Sequence, residues 1–106
     1  MRFNQEILDI TKAIKEAIPI ERIYLFGSHA YGAPGNESDY DFFVVIPDDG
    51  GIRPIDAIQK AHRALISLEH TTPVDILADY KSNFDSRKQY NTLEKKIFSE
   101  GMVIYE

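Results

Sequence analysis

Residues 25–46 read LFGSHAYGAPGNESDYDFFVVI, and this stretch decides the fold. The run Phe42 to Ile46 is apolar throughout, as expected of a strand buried on both faces. Two aspartates, Asp39 and Asp41, stand at its entrance. A short β-type run, Arg22 to Phe26, precedes it and stops at Gly27. Between them lies a segment rich in Gly, Pro and Asn, through Gly32, Pro34, Gly35 and Asn36, which reads as a loop. A carboxylate that enters a core is costly unless something positive meets it. The acids at the mouth of this strand therefore ask for a ligand.

Working outward, Ile7, Ile10, Ile14, Ala17 and Ile18 recur at helical spacing, with Asn4 as N-cap and Pro19 ending the pattern. Pro47 to Gly51 breaks the central strand. Pro54 opens a second helix, with Ile55, Ile58, His62, Leu65 and Glu69 on one stripe and Ile58, Ala61, Leu65 and Leu68 on the next. Val74 to Ala78 reads as a third strand. A mixed polar stretch then leads to a helix over Leu93 to Glu100, where Asn91 and Glu94 have capping-box spacing. Gly101 stops that helix, and Met102 to Tyr105 forms a last strand. The expected class is α/β (α+β): one small mixed β-sheet flanked by helices.

The chain has 106 residues, a size for one domain over 1–106. A hydrophobic fraction of 43% supplies a core without staples. With no cysteine, disulfides, thiolate metal sites and cysteine nucleophiles are excluded, and a reducing cytoplasmic setting is expected. No apolar run approaches the ~18 residues of a membrane span, so no membrane is expected. The net charge of −5 lacks the basic footprint of a duplex binder, so nucleic acid is not expected as the main partner. An acidic surface suits a basic protein or a metal–nucleotide complex; for most of these charges it serves solubility.

The chemistry lies in a combination. Asp39 and Asp41 are two apart, so on an extended strand both point to one face, roughly 6.5 Å apart at Cα. Left together without a cation, they would repel and one would take up a proton. Oxygen ligands of this kind suit Mg²⁺, which is bound by few carboxylates, waters and phosphates. Asp75 alternates with Val74 and Ile76, and it would join the same face if its strand paired beside Asp41 to Ile46. Gly27-Ser28, at a strand end, offers backbone N–H groups and a hydroxyl to a phosphate. The chemistry implied is phosphoryl or nucleotidyl transfer. Taken singly, Gly-Ser reads as an ordinary turn and Asp-x-Asp as a solvated one. The combination and its order carry the specificity.

With these residues in hand, the chain resembles the minimal nucleotidyltransferases of the DNA polymerase β-like superfamily. Gly27-Ser28, ten residues, Ser38, Asp39-Tyr40-Asp41 and a later Asp75 follow that family's pattern, as do the closing helix and strand over 97–106. The resemblance implies a polymerase β palm-like fold and transfer of a nucleoside monophosphate from a Mg²⁺-bound triphosphate. It implies that Gly27 and Ser28 grip the nucleotide. Asp39 and Asp41 would hold two Mg²⁺ ions, and Asp75 would ligate the catalytic one and help activate the acceptor hydroxyl. Many relatives carry arginine at or near the positions of His29 and Tyr31, so phosphate grip is weaker here or comes from elsewhere.

Arg87 and Lys88 are candidates for that cation, although a solvated helix face is the reading preferred for both. His62 reads as packed, His29 as a possible phosphate contact, and the three histidines, with His70, lack zinc spacing. Chains this small resemble antitoxins paired with HEPN-type toxins, which implies ATP as substrate and AMPylation of a toxin tyrosine. The rival readings are a non-catalytic binding module and a small-molecule nucleotidyltransferase.

Overall fold

The structure, a computed structural model, describes residues 5–27, 39–68 and 72–106. Its described elements are α1 (Gln5–Ala17), β1 (Arg22–Phe26), β2 (Tyr40–Ile46), α2 (Pro54–Leu65), β3 (Val74–Tyr80), α3 (Lys81–Arg87), α4 (Leu93–Glu100) and β4 (Met102–Tyr105). The strands form a mixed sheet in the order β3-β2-β1-β4. β1 runs antiparallel to β2 and to β4, while β2 and β3 are parallel. A parallel pair needs a crossover, and α2 provides it.

One face of the sheet carries an aliphatic core. α1 presents Ile7, Ile10 and Ile14 along one stripe, and α2 presents Ala57, Ala61 and Leu65. They pack on Ile23, Leu25, Tyr40, Phe42, Val44, Ile46 and Ile76. The alternation of β2 sends Phe43 and Val45 to the other face, where they meet Tyr24, Phe84 of α3 and Ile97 of α4. Phe84 is the hub there: its ring centroid lies 5.3 Å from that of Tyr24 and 5.2 Å from that of Phe43. β2 is buried from Phe42 to Ile46, as its unbroken apolar run requires.

Three sequence expectations need correction. The polar stretch after β3 contains α3, which the sequence hides because Phe84 is its only large apolar residue. Helix α4 is capped by Thr92, whose side chain accepts from the Lys95 N–H at 3.2 Å, and not by Asn91. His62 is exposed, because α2 turns Ala57, Ala61 and Leu65 inward and leaves Ile55, 52% exposed, outward. The Asn4 cap lies outside the described residues. Gly101 does end α4, but with extended backbone, at φ −71°. Its Cα approaches so closely that a Cβ would sit 2.5 Å from the Ile97 carbonyl oxygen. Among the described residues, no helix is long and apolar enough to cross a membrane.

Candidate active site

The sheet topology gathers the candidate residues at one end. β2 and β3 are parallel and start together, whereas β1 is antiparallel and ends there. The register pairs Asp41 with Phe26 on one side and with Asp75 on the other. Partners across a ladder point to the same face. Asp41 and Asp75 therefore share the face of Phe43 and Val45, away from α1 and α2. Asp41 is half-buried and Asp75 exposed. Exposure removes the burial cost that sequence reading assigned to Asp75. Water already solvates this carboxylate, so a ligand is not needed to offset desolvation.

Gly27 follows the last residue of β1 and has φ +76°, in the left-handed region open to glycine. A Cβ built there would lie 2.2 Å from Oδ2 of Asp41 and 3.2 Å from its Cγ. The carboxylate of Asp41 thus occupies the space that any other residue type would need at position 27. Asp39 stands immediately before β2 and is half-buried. The strand is anchored just after it, where the Tyr40 N–H donates to the Pro73 carbonyl at 3.0 Å. Ser28, Ser38, His29, Tyr31 and His70 lie outside the described residues.

Among the described residues, no group of three His, Cys, Asp or Glu side chains is close enough to hold a metal ion. What the structure brings together is the pair Asp41 and Asp75, with the backbone of Gly27 against the first; Asp39 is not drawn into a three-carboxylate cluster with them. This donor set fits Mg²⁺. The ion takes oxygen ligands, uses only one or two carboxylates in many sites, and fills its remaining positions with water and substrate phosphate. Asp41 and Asp75 would hold it, with Asp39 two positions before Asp41 as a further oxygen donor.

The cations proposed for phosphate grip are engaged elsewhere. Arg87 pairs with Glu94, a buried carboxylate of α4 that requires a partner. Lys88 is not solvated as expected. Its Nζ lies 3.1 Å from Asp85 and 4.1 Å from the centre of the Phe98 ring. Asp85 collects three cations: Arg22 at 3.1 Å, Lys81 at 2.9 Å and Lys88. Burial pushes its carboxyl up, but hydrogen bonds from Lys81, Lys88 and Arg22 outweigh burial and hold it at about 2. Arg22 also donates to the Tyr24 hydroxyl at 3.0 Å. Arg22 pairs with Val45 in the ladder, so this cluster sits toward the opposite end of the sheet from Asp41.

Sequence reading named Gly27, Asp41 and Asp75 as candidates but did not anticipate the contact between the first two. No local signal reveals it, because it follows from the pairing of Phe26 with Asp41. The family described as Polymerase beta, Nucleotidyltransferase matches residues 8–106. The chain belongs to this family.

Polymerase beta nucleotidyltransferases in general use Mg²⁺ and a nucleoside triphosphate, and nucleotidyl transfer is the general chemistry the family supports. The described fold is similar to a crystal structure from Sulfolobus solfataricus described as a candidate nucleotidyltransferase. The TM-score is 0.59 at 20% identity, covering 77% of this chain and 70% of that one. At that identity the likeness speaks to the fold alone. No curated protein matches the chain.

Proposed function

We propose that this polymerase beta nucleotidyltransferase transfers AMP from ATP to a hydroxyl, a tyrosine, of a partner HEPN-type toxin, and so acts as its antitoxin. The observation that carries the transferase reading is the register of Asp41 with Asp75 beside Gly27. Two carboxylates on one face meet the end of β1, which is followed in sequence by Gly27 and Ser28. Asp41 and Asp75 would hold Mg²⁺, with Asp39 as a further oxygen donor beside them, while Gly27 and Ser28 would take the triphosphate. Bound Mg²⁺ supplies neutralisation of phosphate charge and makes the acceptor hydroxyl more acidic.

Asp75 orients the acceptor hydroxyl and takes its proton. The acceptor oxygen bonds to the α-phosphorus, the bond from that phosphorus to the bridging oxygen breaks, and pyrophosphate leaves with the electron pair. The partner reading draws support from the net charge of −5, which suits a basic partner, and from the exposure of Asp75. An exposed acid at the end of this face can meet a side chain presented by another protein.

The test is incubation of the chain with its co-purified partner, labelled ATP and Mg²⁺, followed by mass spectrometry of both proteins. The partner is expected to gain one AMP on a tyrosine. Asp41→Ala should slow transfer by at least about a thousandfold, the scale of several kcal/mol of lost transition-state stabilisation. Absence of transfer by the unaltered chain overturns the reading. Neutralisation of the partner that survives Asp39→Ala with Asp41→Ala makes the chain a binding module. Transfer to a free small alcohol without any partner makes it a small-molecule enzyme.

A further inference from the structure

Two separate constraints fall on position 27. The φ of +76° by itself favours glycine, yet many turns impose this with open space around them. Gly51 is such a case in this chain: φ is +77°, and nothing lies within 4 Å of a Cβ built on it. At Gly27 the same conformation is joined by a collision of 2.2 Å with Oδ2 of Asp41. The obstacle is the charged end of a short side chain on β2, whose backbone is held by pairing on both sides, so room for a Cβ at 27 is made only by turning the carboxylate away from where it now faces. A phosphate-gripping role explains why the backbone at 27 should be bare toward a ligand. It does not explain why the missing Cβ points into an aspartate.

We infer that Gly27 is a positioning residue for Asp41: its Cα forms the wall against which the carboxylate is seated, and this contact fixes where the oxygens face. The inference rests on the reading of Asp41 as a metal ligand for its consequence, but not for the contact itself. A carboxylate seated against backbone keeps one orientation on the open face it shares with Asp75. Groups that orient a metal ligand in this way typically change metal affinity by roughly 10–100-fold when altered. The inference thus gives Gly27 a part in cation binding that precedes any nucleotide. Grip on a triphosphate would act only once the nucleotide is bound.

The experiment is a double-mutant cycle with Gly27→Ala and Asp41→Ala, read by urea unfolding, together with Mn²⁺ binding followed by paramagnetic resonance without nucleotide. Strain at positive φ is present in both backgrounds and cancels in the cycle. Gly27→Ala should change the unfolding equilibrium constant on the order of tenfold more in the native background than beside Asp41→Ala. Mn²⁺ binding by Gly27→Ala should weaken roughly 10–100-fold.

Equal stability losses in the two backgrounds overturn the inference, as does native Mn²⁺ affinity in folded Gly27→Ala. Where Gly27→Ala alone does not fold, a folded Gly27→Ala/Asp41→Ala chain supports the inference, and failure of both to fold overturns it. Coupling in stability without Mn²⁺ binding by the native chain retains the contact and removes the metal reading. Native Mn²⁺ binding without coupling does the reverse.

Discussion

The two faces of the sheet are built on different terms. Under α1 and α2, burial is spread over a continuous, mostly aliphatic cluster of fourteen buried residues among those described. Under α3 and α4 the cluster has five, and Phe84 sits between Tyr24 and Phe43 as its hub. Charge completes the second face: Arg22, Lys81 and Lys88 converge on Asp85, and Arg87 pairs with buried Glu94. Among the described residues the cover is also incomplete. Asp75 is exposed and Leu77 is 41% exposed on the outer strand β3. The difference teaches how a small chain leaves a carboxylate pair accessible. Stabilising apolar area is concentrated on the far side of the sheet, and one aromatic with an ion cluster holds two short helices on the near side.

That contrast is broken most easily at Phe84. Phe84→Ala should cost about 3–5 kcal/mol in urea unfolding, because the hub of the smaller cluster is lost and a cavity remains. A loss below about 1 kcal/mol would show that the two helices do not depend on it. The sequence concealed this anchor for a physical reason. Lys81 to Arg87 has no apolar period, so nothing local marks a helix, and its stability comes from the pocket that Tyr24 and Phe43 make. β2 was legible because five consecutive apolar residues have few alternatives to a strand buried on both sides, and β1 and β4 because glycines bound them. The likeness to nucleotidyltransferases was legible from Gly27-Ser28, Asp39, Asp41 and Asp75. Their spatial relation was only half so: alternation tells which face Asp75 shares, but register decides whether it stands opposite Asp41.

The ion cluster sharpens the comparison through pH. The Asp85 carboxyl at about 2 is below its ordinary value of 3.8, so its stabilisation is present above pH 4 and lost as pH falls toward 2. With its side chain 30% exposed, screening reduces the contribution to about 1 kcal/mol. Asp85→Asn should therefore be less stable than the native chain at pH 7, and the gap should close between pH 4 and pH 2. A gap that persists at pH 2 would mean that packing, and not charge, is what Asp85 supplies. No stretch of sequence could announce the cluster, since Arg22 meets it across 63 positions.

The smallest effect belongs to the uncovered edge. Leu77→Ser should alter stability by no more than about 0.5 kcal/mol, the range for exposed sites. A larger loss in the isolated chain would show that β3 is covered on this side after all, and the two faces would then be more alike than described.

β1 lies between β2 and β4, and Leu25 is paired with Met102. The strand that delivers Gly27 to Asp41 is thus braced by residues more than seventy positions downstream. Disrupting Met102 to Tyr105 bears directly on the β1 edge. Damage there would reach the candidate site through the backbone, with every acidic side chain still in the chain.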